Sequence, residues 1–179
     1  MHHMNSPLRL LAATAALLGA VAVGAHAADA EAPSPVTVSF ESPEKFTDFT
    51  MSHASRDDGQ EQLMSEFRAH LVHQARSLLQ PGQRLEVRFL DIDLAGDFEP
   101  GRMHASADHI RFLKEIYPPK VTLEFKLLGA DGKVISEGKR ELRELGYLHV
   151  TRLPTSDNLR YDKAVLTDWM RREFRRSSR

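Results

Sequence analysis

The chain has 179 residues, 41% of them hydrophobic and 27% charged, the length and composition of about one globular domain rather than of a disordered tail. Its formal net charge of −1 excludes an overall basic field for nucleic acid. The absence of cysteine excludes disulfides, a thiolate nucleophile and a lipid-bearing cysteine.

The first residues read as targeting. Met4-Asn5-Ser6-Pro7-Leu8-Arg9 forms a short positive region, and His2 and His3 precede this better start. Leu10 to Val23 is apolar without charge, and Ala25-His26-Ala27 has the small-x-small form of a signal-peptidase site. The apolar run is shorter than the ~20 residues of a membrane span. Residues 1–27 are therefore expected to be a cleaved bacterial export signal, cut near Ala27-Ala28, with no transmembrane segment left afterwards. Residues 28–35, A-D-A-E-A-P-S-P, read as a flexible tether, and residues 36–176 as one domain.

Alternation at Val36, Val38 and Phe40 predicts a strand that Pro43 stops. Phe46, Phe49 and Met51 punctuate the polar loop that follows and are expected to fold back onto the core. A helix is expected from Asp58, with Asp58 as N-cap and Glu61 three residues later. Leu63, Met64, Phe67, Leu71, Ala75 and Leu78 form its apolar stripe, and Pro81-Gly82 ends it.

Leu85 to Leu94 reads as a strand whose alternation changes phase. Leu85, Val87 and Phe89 are apolar in one phase, then Leu90, Ile92 and Leu94 in the other. A β-bulge at Phe89–Leu90 would absorb the change. Residues 106–117 fit both helix and strand periods, with an extended piece expected around Ile110–Leu113, and Pro118-Pro119 closes the segment. Val121 to Leu127 is the cleanest strand. Gly129-Ala130-Asp131-Gly132 turns it into the charged strand Val134 to Leu142, which reads as an edge. A final helix, capped by Thr155, Ser156 or Asp157, buries Tyr161, Val165, Leu166, Trp169, Met170 and Phe174. The expected class is α+β: a mostly antiparallel sheet of about four or five strands with two amphipathic helices packed on one face.

The stretches V-T-V-S-F-E-S-P-E-K-F-T-D, L-E-V-R-F-L-D-I-D-L-A-G-D-F-E-P-G, I-Y-P-P-K-V-T-L-E-F and L-R-Y-D-K-A-V-L-T-D-W-M-R-R-E-F together resemble the bacterial exported family catalogued as domain of unknown function 3016. The resemblance spans Val36 to Phe174, and the D-I-D-L-A-G and Y-P-P segments are its most specific parts. Leu145-Gly146-Tyr147 stands where the family pattern has an Asn. The resemblance implies export and a single domain, and brings no catalytic residue, cofactor or substrate.

Asp91, Asp93 and Asp97 are candidates for metal or acid–base chemistry. Aligned as a calcium loop from Asp91, position five is Ala95 and position twelve is Arg102, so the loop lacks its main ligand. Alternate strand residues lie ~6.6 Å apart, a spacing that suits paired carboxylates, but nothing else suggests a sugar cleft. The plainer reading puts Asp91 and Asp93 on the solvent face with Glu86 and Arg88.

Glu66, His70 and His73 share one side of the first helix and are a second metal candidate. No H-E-x-x-H pattern supports it, and a solvated polar flank is the alternative. His53, Ser55, Arg56, Asp57 and Asp58 crowd a helix start, where capping competes with anion binding. Arg171, Arg172, Arg175, Arg176 and Arg179 either complement the last helix dipole or contact an anionic membrane surface or acidic partner.

No coherent catalytic set emerges and no cofactor is implied. The expectation is a periplasmic or secreted, non-enzymatic domain that binds an envelope protein or ligand. A metal-binding protein or hydrolase using Asp91, Asp93 and Asp97 or the His70/His73 pair is the alternative.

Overall fold

In the computed structural model, which describes residues 34–51, 56–99, 101, 110–149 and 156–175, β1 (Val36–Phe40) leads into α1 (Arg56–Leu78) and then β2 (Arg84–Asp93). Two short strands follow, β3 (Asp97–Phe98) and β4 (Arg111–Phe112), then the hairpin β5 (Lys120–Leu128) and β6 (Val134–Arg143), and finally α2 (Arg160–Phe174). The main sheet has the order β1-β2-β5-β6, while β3 and β4 pair apart from it. β1 and β2 are parallel, as α1 between them permits. The other two pairings of the main sheet are antiparallel. The fold is α+β, as its periodicities predict. Residues 1–33, which hold the expected signal and most of the expected tether, lie outside the described residues, as do His53, Ser55, Arg102, Thr155, Arg176 and Arg179.

One sheet face carries the core. Leu85, Val87, Phe89 and Ile92 of β2 and Val121, Leu123, Phe125 and Leu127 of β5 are buried together with Leu63, Phe67, Leu71 and Ala75 of α1 and Val165, Leu166, Trp169, Met170 and Phe174 of α2. Phe67 meets Phe89 edge-on at 5.7 Å, and Trp169 meets Phe125 at the same separation, the aromatic geometry that ring quadrupoles favour. Phe46 and Phe49 do fold back into this core, with Met51 packed against it. The opposite face presents Glu86, Arg88, Glu124 and Lys126, where Arg88 bridges Glu41 and Glu124.

α1 already includes Arg56, so Asp58 lies within the first turn and is not the N-cap that the sequence suggested. The two helices run in the same direction. Glu66 pairs with Lys163, and one turn later His70 pairs with Thr167 on the other helix. Both N-termini therefore lie toward one end of the sheet and both C-termini toward the other. Their C-terminal partial charges add rather than cancel, and the exposed Arg76, Arg171, Arg172 and Arg175 sit there with the compensating sign.

The phase change in β2 is a bulge. Phe89 pairs with Leu123 and Asp91 with Thr122, which leaves Leu90 as the extra residue. Beyond it Ile92 returns to the core beside Val121, while Asp91 and Asp93 turn to the other face opposite Thr122 and Lys120. Without the extra residue two carboxylates would enter the apolar layer, at a large desolvation cost.

Candidate functional site

β1 separates from β2 at this bulge. The last regular contact is the Glu41 N–H donating to Phe89 O. Ser42 then adopts a left-handed conformation (φ 54°) and Pro43–Lys45 make one 3₁₀ turn. The chain returns at Asp48, whose N–H donates to Ile92 O while its carbonyl accepts from Leu94 N–H. Asp91 fills the interval. Its carboxylate accepts both the Thr47 amide (2.7 Å) and the Thr47 hydroxyl (2.8 Å), which satisfies the backbone that the missing ladder leaves open.

The detour leaves a cleft of about 610 Å³ between residues 44–50, the end of β2 with β3, and residues 116–120. Phe46, Phe49, Phe98, Ile116 and Tyr117 give it apolar walls, while Glu44, Asp48, Asp93, Asp97 and Lys120 give it charge. Most of these charges are already engaged. Asp93 accepts from Lys120, and Asp97 accepts the Phe98 amide at 2.7 Å. Just behind Tyr117, Glu99 accepts from the Lys114 ammonium and, at 3.0 Å, from the Tyr117 hydroxyl.

The most enclosed pair is Asp48 with Arg111. The guanidinium donates bidentately to the carboxylate at 2.6 and 2.9 Å, to Gly96 O at 2.9 Å and to Thr50 O at 2.7 Å. It also lies over the Phe98 ring, 4.5 Å from the centroid. This fork ties three separate segments together and explains why a strand of two residues, β4, is placed at all. The pair escaped sequence reading because its members are 63 positions apart, one in a loop and one in an ambiguous segment.

Below the cleft floor lies Asp162, which is buried (1% exposed) in the first turn of α2. It accepts the Ala95 amide at 2.9 Å. Burial pushes its pKa up to about 7, against the opposing pull of the Ala95 amide, its own amide and the Arg111 guanidinium. A sequence signal existed. Asp162 precedes Leu166 by four and Trp169 by seven, so it lies on the apolar stripe itself.

Gly96 follows Ala95 with φ +83°, and its amide donates to Tyr117 O at 3.0 Å. A Cβ there would stand 2.7 Å from Phe112 O. Gly96→Ala is therefore expected to cost about 1–3 kcal/mol in urea unfolding through strain alone. A loss below ~0.5 kcal/mol would show that the β3–β4 pair yields freely.

Asp91, Asp93 and Asp97 thus part company. Asp91 holds a loop, Asp93 faces Lys120, and Asp97 closes a local turn. Asp91 and Asp93 share the outer face as expected, but β2 is a central strand and its acids are half-buried and bonded, not a solvated row. The histidine pair divides too. His73 is exposed, while His70 turns toward α2 and Glu66 takes Lys163. Because the Thr167 hydroxyl donates to Lys163 O, His70 Nε2–H must donate to Thr167. Burial lowers the His70 pKa to about 4. His70 therefore lies in the helix–helix contact rather than on a solvated flank. Among the described residues no three His, Asp or Glu side chains are grouped to hold a metal ion, and no helix is long and apolar enough to cross a membrane.

Residues 34–172 match the family model described as Protein of unknown function (DUF3016). No curated protein and no solved structure matches the chain.

Proposed function

The chain belongs to the DUF3016 family, and we propose that it is an exported, periplasmic binding domain whose ligand occupies the cleft beside β2. The observation that carries this reading is the division of labour in the cleft. Its aspartates are spent on positioning the walls, through Arg111, Lys120 and the Phe98 amide, while the exposed Ile116 and the half-buried Tyr117 face the open space between them. Recognition needs apolar walls with a few fixed polar groups. Acid–base turnover needs a carboxylate held in reach of substrate with a matched pKa, and the aspartates lining this cleft are committed to neighbours instead, while Glu44 is exposed at its rim. Export rests on the apolar run Leu10 to Val23 and the Ala25-His26-Ala27 site.

Native mass spectrometry of the protein recovered from a bacterial periplasm tests both parts. A polypeptide beginning at Ala28 and carrying an additional small-molecule mass is expected, with that mass lost in Ile116→Trp, which fills the cleft mouth. Retention of residues 1–27 in the recovered protein would overturn export. A bound mass that survives Ile116→Trp would overturn the cleft as its site.

A further inference from the structure

The parallel arrangement of α1 and α2 gathers positive charge at the end of the molecule away from the cleft. Arg76 closes α1, and Arg171, Arg172 and Arg175 close α2; all four are exposed. Arg76, Arg171 and Arg172 have no ion-pair partner among the described residues. Exposed Arg84 begins β2 at the same end, against the β5–β6 turn, where its guanidinium lies 3.9 Å from the direction of a Gly132 Cβ. Of the acids nearby, Glu173 is occupied by Arg140 and Asp131 by Lys133, and exposed Asp168, one turn before Arg171 and Arg172, offsets one of the four charges.

Two aliphatic side chains, Val134 and Ile135, project from the start of β6 at this end and are 49% and 48% exposed. After Phe174 the sequence runs Arg175-Arg176-Ser177-Ser178-Arg179, without an acid.

Helix dipoles account for one or two terminal cations. They do not account for Arg84, nor for the exposed Val134 that shares its row of the sheet through Leu128. We propose that this end docks on an anionic phospholipid surface, with Arg76, Arg171, Arg172 and Arg175 among the headgroups and Val134 and Ile135 at their depth. The cleft then faces away from the bilayer. A lipid surface fits better than an acidic protein because the charges are spread over two helix ends and a strand start. Among the described residues no exposed aromatic side chain stands with them to form the desolvated centre of a protein interface. Attraction of this kind tolerates loose geometry and sums over the cations.

The test is co-sedimentation of the full chain with vesicles of neutral phosphatidylcholine and with vesicles containing 30% phosphatidylglycerol. Arg9 and the N-terminus are common to every variant, so the loss of the phosphatidylglycerol increment between wild type and an arginine variant reports the charged end. Each arginine is worth about fivefold in partitioning. Arg171→Gln/Arg172→Gln/Arg175→Gln should therefore cut the increment on the order of a hundredfold, and 0.5 M salt should abolish it. Lys139→Gln, on the exposed sheet surface, should leave it unchanged, and circular dichroism verifies that each variant folds. Equal binding to both vesicles, or a triple variant that keeps the increment, overturns the proposal. So does an acidic protein that binds this end while anionic vesicles do not.

Discussion

Replacing Arg111 with methionine is expected to lower the unfolding free energy by about 3–5 kcal/mol, because the change leaves the Asp48 carboxylate enclosed without its counterion. The Asp48 and Arg111 side chains are only 18% and 11% exposed, so water cannot readily take over. The substitution also strips Gly96 O and Thr50 O of a donor. Asp48→Leu/Arg111→Met should recover most of the loss, since a buried ion pair replaced on both sides by apolar groups is often close to neutral. Urea midpoints for the two single variants and the double variant give the coupling energy directly. A loss of less than ~1 kcal/mol in Arg111→Met would mean that the cleft walls are held by something else. Lys120 offers a useful contrast: its bridge to Asp93 is 47% exposed on the lysine side, and pairs of that kind contribute little.

The second large effect concerns acidity. Asp162 has a folded-state pKa raised to about 7 from an ordinary 3.8. Between those values the folded protein holds a proton that the unfolded chain releases, so this stabilising contribution is full below pH ~4 and is lost as pH rises through 7. Asparagine mimics the protonated acid and can still accept from the Ala95 amide. Asp162→Asn should therefore be close to neutral at pH 4 and stabilising at pH 8, by on the order of 3–4 kcal/mol.

His70 acts with the opposite sign. Its folded pKa is lowered to about 4 from 6.5, so its contribution is full above pH 6.5 and is lost as pH falls toward 4. The two slopes oppose each other between pH 4 and 6.5, so together these two groups contribute little net slope there. Asp162→Asn should unmask the histidine slope, and its stability should fall on acidification across that interval. Urea unfolding of both proteins at pH 4, 6 and 8 reads this out. A pH-independent difference between them would sink the assignment.

The layers of the fold were legible because they follow from periodicity. The stripes on α1 and α2, the Gly129–Gly132 hairpin and the extra residue at Leu90 are all consequences of 3.6- and 2-residue repeats meeting one apolar layer. The acid at Asp91 was legible as outward-facing, but its task was not, because the loop it holds departs and returns within ten residues on another strand. Asp48 with Arg111 and His70 with Thr167 are contacts between elements, and no local pattern encodes which polar residue meets which. Asp162 was the exception that could have been read. An acid on an apolar stripe is either an error of phase or a buried carboxylate, and here it is the second.

α2 is a strut. Its 15 residues span roughly 22 Å at the helical rise. One end is pinned through Asp162 to the Ala95 amide in the cleft floor, and the other carries Glu173 clasped by Arg140 and the exposed arginines beyond. A rigid rod fixed at both ends cannot tilt at one without a displacement at the other. A tilt of the arginine end is therefore opposed at the cleft floor, by the Ala95 amide on Asp162 and, next to it, by the Gly96 amide on Tyr117 O.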